Sequence, residues 1–367
     1  MVPFSKRSRS GICPGRESVP MPNVVSLIQL SCAQARSIRD VDASIRLFEA
    51  GGWFQDEYAE TWPRATVERY VRGRSTSTRT ERDSLLSDAE IVLCGFPFPI
   101  DLRARAPELR WLHQTPAGAS NLRTGDVWNS AIAVTTSRGY GDSRAIAEYV
   151  LAGIMHFAKG FERATLDREH AKFDYQSYTP SSLSEKVLCV IGAGGIGRQI
   201  ARFGKALGMR TLGTRGSVAT VSQDADFDAI GGPDQLCGFL AESDFVAVSC
   251  QWTEATTRLL NATTFAAMKR GAILVNVARG EIIDETALLA ALDAGQLRGA
   301  VLDVFVGEFE GPPPAALWQR RDILITPHTS ALTDRGQRRS MDLFNRNLHR
   351  FLAGQQLENQ IDWALGY

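Results

Sequence analysis

Residues 187–201 read VLCVIGAGGIGRQIA, and the order of residue types along them decides the fold. The apolar run at 187–191 predicts a buried strand, Gly192-x-Gly194-x-x-Gly197 follows at once, and a helical pattern comes after it. Each glycine has a steric reason. The first permits a tight turn, the second lets backbone approach a pyrophosphate, and the third lets helix lie close on strand. The helix N-terminus turns unpaired N–H groups toward an anion. A strand is predicted next at 209–213, and an acid just beyond it would accept bonds from an adenosine ribose 2′-hydroxyl. Arg215 stands there instead. A guanidinium suits a 2′-phosphate, so NADP is expected ahead of NAD, with an exposed loop arginine as the plainer alternative.

Downstream, residues 270–292 read RGAILVNVARGEIIDETALLAAL, a strand running to Asn276, then Arg279, then a helix capped by Asp284. Residues 299–308 (GAVLDVFVGE) and 322–330 (DILITPHTS) are two more apolar strands, followed by Glu308 and His328. All three polar residues therefore follow carboxyl ends of strands, where an open parallel sheet places its ligand crevice. Their chemistry suits reduction of a 2-oxo acid. Arg279 can pair with a carboxylate and polarise the ketone, and His328 can deliver a proton to its oxygen. Glu308 beside the imidazole favours its protonated form.

Upstream, short apolar runs at 24–30, 91–94, 109–113 and 132–135 alternate with amphipathic stretches and predict a further parallel sheet. The polar stretch 75–80 reads as a surface loop. A long helix is expected after Gly139, with Ile146, Val150, Gly153, Ile154 and Phe157 on one face, and a closing helix carries Met341, Phe344, Leu348 and Phe351. The class is α/β, in two units, which also fits a length of 367 residues.

Composition narrows the function. Lys and Arg total 41, as do Asp and Glu, so no basic surplus speaks for nucleic acid. No apolar run approaches the roughly 20 residues of a membrane span. The six cysteines (13, 32, 94, 189, 237 and 250) form no CxxC pair, which points to free thiols and a cytoplasmic location, and no metal-ligand spacing is present. Residues 1–20 are basic, Ser-rich and broken by Pro and Gly, so residues 1–22 are expected to form a disordered extension, with Met21 as a native start. His113 is read as structural ahead of substrate contact, and His156, His170 and His349 as structural or exposed. Trp252 is read as packing ahead of a role in the cleft, and residues 95–99 (GFPFP) as a rigid loop able to shape a pocket.

The stretches APELRWLHQTPAGASNL, IAEYVLAGI, LAESDFVAVSCQWTEATTRLL, LVNVARGEIIDETALLAAL, GAVLDVF and ITPHTS, with the glycine segment, resemble the D-isomer-specific 2-hydroxyacid dehydrogenases. The resemblance implies two Rossmann/flavodoxin-like doubly wound parallel-sheet domains with the active site in the cleft between them. It implies a substrate domain of residues 23–140 plus 333–367 and a dinucleotide domain of 141–332. Arg279, Glu308 and His328 match the family's catalytic positions. Ala117 and Gly118 match its carboxylate-binding loop, and Gly195, Ile196, Gln251, Thr256, Val277 and Asp303 its cofactor contacts. A homodimer is expected. The sequence departs from the pattern at Ser120, where many members carry Asp, and at Gln251-Trp252, where Pro-Leu is usual. It also departs in SRGYGDSRAIAE, which is about one residue longer. The implied activity is NADPH-dependent reduction of glyoxylate or hydroxypyruvate. NAD-dependent oxidation of a D-2-hydroxy acid of phosphoglycerate type, or a dinucleotide-sensing corepressor-like binding protein, are the alternatives. A formate dehydrogenase is disfavoured by Glu308.

Overall fold

A computed structural model of the chain describes residues 22–140, 143–333 and 338–364. The extension expected at 1–22 therefore lies outside the described residues save for Pro22, and so do Cys13 and part of the lengthened loop before Glu148.

Two parallel sheets organise the molecule. In the first, β1 (Asn23–Ser26), β2 (Arg46–Glu49), β3 (Ile91–Cys94), β4 (Trp111–Gln114) and β5 (Ala133–Thr136) lie in the order β2-β1-β3-β4-β5. The second contains β6 (Val187–Ile191), β7 (Arg210–Thr214), β8 (Ala229–Gly231), β9 (Phe245–Val248), β10 (Ala272–Asn276), β11 (Leu297–Leu302) and β12 (Ile323–Ile325). Its order is β12-β11-β10-β9-β6-β7-β8. Parallel sheets are covered on both faces, which is why β3, β4, β9 and β10 are buried at every residue and why β3 and β9 are apolar throughout. The second sheet winds outward in both directions from β6, so β6 and β9 flank the point where the strand order reverses. Crevices open at such points.

The predicted strands are found within a few residues, although the run at 24–30 pairs only as far as Ser26. Edge strands β2 and β8 carried no signal, because β2 (RLFE) is mostly exposed and β8 has three residues. The expected loop at 75–80 ends early. The Thr78 side chain accepts from the Glu81 N–H, and Glu81 reaches back to the Thr78 N–H, starting a helix at Arg79–Ser87. That box was visible as Thr-x-x-Glu.

The helix Ser143–Ala158 buries Ile146, Val150, Gly153, Ile154 and Phe157 as expected. Gly153 permits the approach: a Cβ there would stand 3.0 Å from Val301. The helix Arg338–Leu352 returns to the first sheet, where Phe344 stacks on Trp111 at 5.1 Å and Met341 and Leu348 are buried. Ile361 then donates its N–H to the Val134 carbonyl, so the chain's last described segment packs on its first sheet.

His113 sits at this joint with no exposure. Its Nδ1 is 2.8 Å from Thr135 Oγ1 and its Nε2 is 3.4 Å from Ser137 Oγ, which reaches Ser340 of the returning helix. Burial lowers its pKa from 6.5 to about 3. The unfolded chain therefore takes up this proton before the folded one does, and the stability is lost as pH falls below about 6.5. Urea midpoints measured at pH 7 and pH 5 should fall more steeply for the native chain than for His113→Asn. Equal slopes would remove His113 from the acid response.

Candidate active site

The site is built from loops that follow β4, β10, β11 and β12. After β10, Asn276 makes the turn: its Oδ1 accepts from the Ala278 N–H at 3.0 Å and its Nδ2 donates to the Arg279 carbonyl at 2.9 Å. Gly280 lets this loop touch the one after β11, since a Cβ would fall 2.1 Å from the Phe305 carbonyl carbon. Arg279 leaves the turn toward the first sheet. Its Nη1 donates to the Ala278 carbonyl at 2.7 Å and its Nε to Ser120 Oγ at 3.0 Å. Its Nη2 lies against Gly118, where a Cβ would stand 2.2 Å away. Burial holds the guanidinium below its ordinary value, opposed by Glu308, Glu281 and Tyr70. It stays charged, as arginine does in proteins.

The loop carrying Ala117 and Gly118 is braced from beneath by Gln114, whose Nε2 donates to the Gly118 carbonyl at 2.6 Å and whose Oε1 accepts from Asn121 at 2.9 Å. Ser120, the departure from the family pattern, is thus the direct partner of Arg279.

Glu308 is almost fully buried, with its oxygens 3.0 and 3.1 Å from His328 Nδ1. A carboxylate at Nδ1 fixes the tautomer with that nitrogen protonated and leaves Nε2 for the cleft. His328 has a left-handed backbone, φ 55°, and its conformation is imposed by Asp303. The wholly buried Asp303 accepts from Thr326 Oγ1 at 2.6 Å, from the Thr329 N–H at 2.7 Å and from the Ser330 N–H at 3.0 Å. Its carbonyl takes the His328 N–H at 2.9 Å. Expected at the cofactor, Asp303 has both carboxylate oxygens engaged by the histidine loop.

The glycine turn has the geometry its spacing predicts. Gly192 has φ 103°, and a Cβ there would stand 2.5 Å from the Cys250 amide. A Cβ on Gly197 would fall 2.1 Å from the Gly192 carbonyl oxygen, whereas one on Gly194 would meet open space. Gly194 caps the helix Gly195–Ala206, whose first turn, including Ile196, has N–H groups with no acceptor in the helix. The cradle fits a dinucleotide pyrophosphate. Arg215 follows β7 directly, exposed and with no ion pair among the described residues. Thr256 closes the loop after β9 by donating to the Gln251 carbonyl at 2.7 Å, and Val277 is buried where β10 ends.

Three features were missed in the sequence. Arg123 lies between Trp128 at 5.0 Å and Trp252 at 4.9 Å, a cation–π clasp joining the loop near β4 to the loop after β9. Trp252 is therefore more than local packing. The helix Arg64–Tyr70 docks on the loop after β11, with Thr66 Oγ1 donating to the Phe309 carbonyl at 2.6 Å and Arg69 standing 4.0 Å from Glu308. Gln114 carries the third. Contacts between segments so distant leave no periodicity to read.

The family model for the NAD binding domain of D-isomer specific 2-hydroxyacid dehydrogenases matches residues 151–330. The (S)-sulfolactate dehydrogenase of Chromohalobacter salexigens is 31% identical over 253 residues, 69% of this chain and 81% of that protein. The D-3-phosphoglycerate dehydrogenase of Methanocaldococcus jannaschii is 27% identical over 288 residues, 78% of this chain and 54% of that protein, so this chain spans about half its length. A solved D-isomer specific 2-hydroxyacid dehydrogenase family protein from Aeromonas salmonicida superposes with a TM-score of 0.74 at 26% identity, covering 94% of this chain and 99% of that one. The chain belongs to the D-isomer specific 2-hydroxyacid dehydrogenase family. Its cofactor is NAD or NADP.

Because Gly118 admits the end of a long side chain rather than backbone, Gly118→Ala should displace Arg279 without unfolding the protein. The expected result is a fall in kcat/KM of about tenfold or more with a melting temperature shifted by only a few degrees. Unaltered kinetics would separate the loop from Arg279.

Proposed function

We propose that this chain reduces a small 2-oxo acid to a D-2-hydroxy acid with NADPH. The observation that carries the reading is the pair of His328 Nδ1 on Glu308 facing an arginine that reaches across to Gly118 and Ser120. Bound nicotinamide would supply the hydride; the chain's own groups do the rest. Arg279 Nη2 and the backbone N–H groups of Ala117 and Gly118 hold the carboxylate and orient the ketone. His328 donates a proton from Nε2 to the ketone oxygen, and Glu308 keeps the ring turned for that transfer. In this reading residues 23–140 with 333–367 hold the substrate. Residues 141–332 hold the dinucleotide through Gly192, Gly194, Gly195, Ile196, Gly197, Gln251, Thr256 and Val277, while Asp303 supports the histidine loop. Glyoxylate and hydroxypyruvate are the first candidate substrates of this reading.

The exposed, unpaired Arg215 supports NADPH over NADH. The second reading, NAD-dependent oxidation of a D-2-hydroxy acid, is favoured by relatives named for sulfolactate and 3-phosphoglycerate. A homodimer is supported by Phe173 and Tyr175, whose relative exposures are 105% and 92% on the described surface. Sedimentation velocity measures it, and a monomer at micromolar concentration would refute it. A cytoplasmic setting is supported by five described cysteines that are all free. No described helix is long and apolar enough to cross a membrane.

A 2-oxo-acid panel run with NADPH and NADH in parallel tests the reaction. Arg215→Glu should shift the NADPH/NADH ratio of kcat/KM by about tenfold or more toward NADH; a native preference for NADH would sink the role given to Arg215. His328→Ala should lower kcat by about 10²–10⁴-fold while NADPH still binds, as followed by its fluorescence. Turnover equal to the native chain would take the proton transfer away from His328.

A further inference from the structure

We propose that Arg69 is a second anion anchor in the substrate pocket, so that the preferred substrate is a 2-oxo acid bearing another anionic group on its carbon chain. The proposal rests on the 2-oxo-acid reading above and narrows it.

Arg69 is the one arginine of its helix that turns into the site. Its side chain is 23% exposed, and among the described residues the only carboxylate near it is Glu308, at 4.0 Å from Nη1. That is too long for a hydrogen bond. Both Glu308 oxygens already approach His328 Nδ1. The Nη2 of Arg69 is buried with no acceptor, and no described hydrogen bond uses any of its guanidinium nitrogens. Arg105 also has a buried Nη2 without a partner, but its charge is met by Glu57, Asp83 and Asp101. Arg69 has no comparable set. A buried cationic donor left open is costly unless an anion completes it.

The surroundings place this donor in the reaction pocket. The guanidinium lies 5.1 Å from the Tyr70 ring centroid. Tyr70 packs edge-on against Phe96 at 5.1 Å, Phe96 against Phe309 at 5.0 Å, and Phe309 against the His328 ring at 6.2 Å. One aromatic wall therefore runs from Arg69 to His328, and its low polarity strengthens the pull of the partly buried guanidinium on an anion. The GFPFP loop enters the pocket through Phe96. Arg279 cannot serve a second anion as well, since its Nε and Nη1 are taken by Ser120 and Ala278. One guanidinium thus meets the carboxylate beside the ketone, and the other is left for a group further along the chain. A carboxylate, a phosphate and a sulfonate share the needed chemistry.

The test compares substrates that differ only in that group. Pyruvate is set against oxaloacetate and 3-sulfopyruvate, and hydroxypyruvate against 3-phosphohydroxypyruvate, each with saturating NADPH and NADH. In the native chain at least one dianion should exceed its monoanionic counterpart in kcat/KM, and which one identifies the group. In Arg69→Leu that ratio should fall by about 30-fold or more, mainly through KM, with Arg69→Lys recovering part of it. A ratio unchanged by Arg69→Leu, or kcat falling equally for both members of a pair, would overturn the proposal and leave Arg69 as a support for Glu308. No dianion preferred by the native chain would also overturn it. If the native chain turns over no 2-oxo acid at all, the underlying reading fails together with it, an outcome distinct because the native chain itself is silent.

Discussion

The Arg279 guanidinium, seated against Gly118 and hydrogen-bonded to Ser120, is where two separately formed sheets become one site. A side chain from the loop after β10 supplies the charge, and a loop after β4 supplies the space and the hydroxyl. Neither has the geometry alone. Gly280 carries the same constraint one residue further, because the loop after β10 touches the backbone after β11 only where no Cβ intervenes. The loops after β4, β10 and β11 are thereby held together by two absent methyl groups.

Asp303 is the counterpart on the other side of the cleft. Burying a carboxylate is unfavourable unless its oxygens are fully hydrogen-bonded, and here two backbone N–H groups and a threonine hydroxyl satisfy them. Those bonds hold His328 in a backbone conformation that a non-glycine residue rarely adopts. The imidazole is thus aimed at Glu308 by a loop that cannot relax without unmaking the buried carboxylate's partners. Trp252 and Arg123 add a contact between the units that the local pattern concealed, since a tryptophan after an apolar strand looks like core until its partner is known.

Much of this was legible in the residues themselves. Burial on both faces makes a parallel strand a largely apolar run, so β3, β6 and β10 could be read, and a helix on a sheet repeats its buried residues at fixed spacing, as Ile146 through Phe157 do. The glycine turn was legible because its geometry needs glycine at fixed intervals. Arg279, Glu308 and His328 could be named because each follows the end of a strand. Edge strands β2 and β8 could not, since β2 is mostly exposed and the three residues of β8 are too few to show a pattern.

By itself, the sequence determined the two α/β units, the dinucleotide turn and the identity of the Arg-Glu-His set. These depend on local periodicity, on steric demands within a few residues, and on the rule that ligands gather at carboxyl ends of parallel strands. Only the tertiary structure decided that Ser120 is the partner of Arg279, that Asp303 shapes the histidine loop, and that Arg69 stands beside Glu308 with a donor unused. Such pairings join segments brought together by packing. Hydrogen-bond satisfaction and burial are properties of the assembled cleft, and no spacing along the chain encodes them.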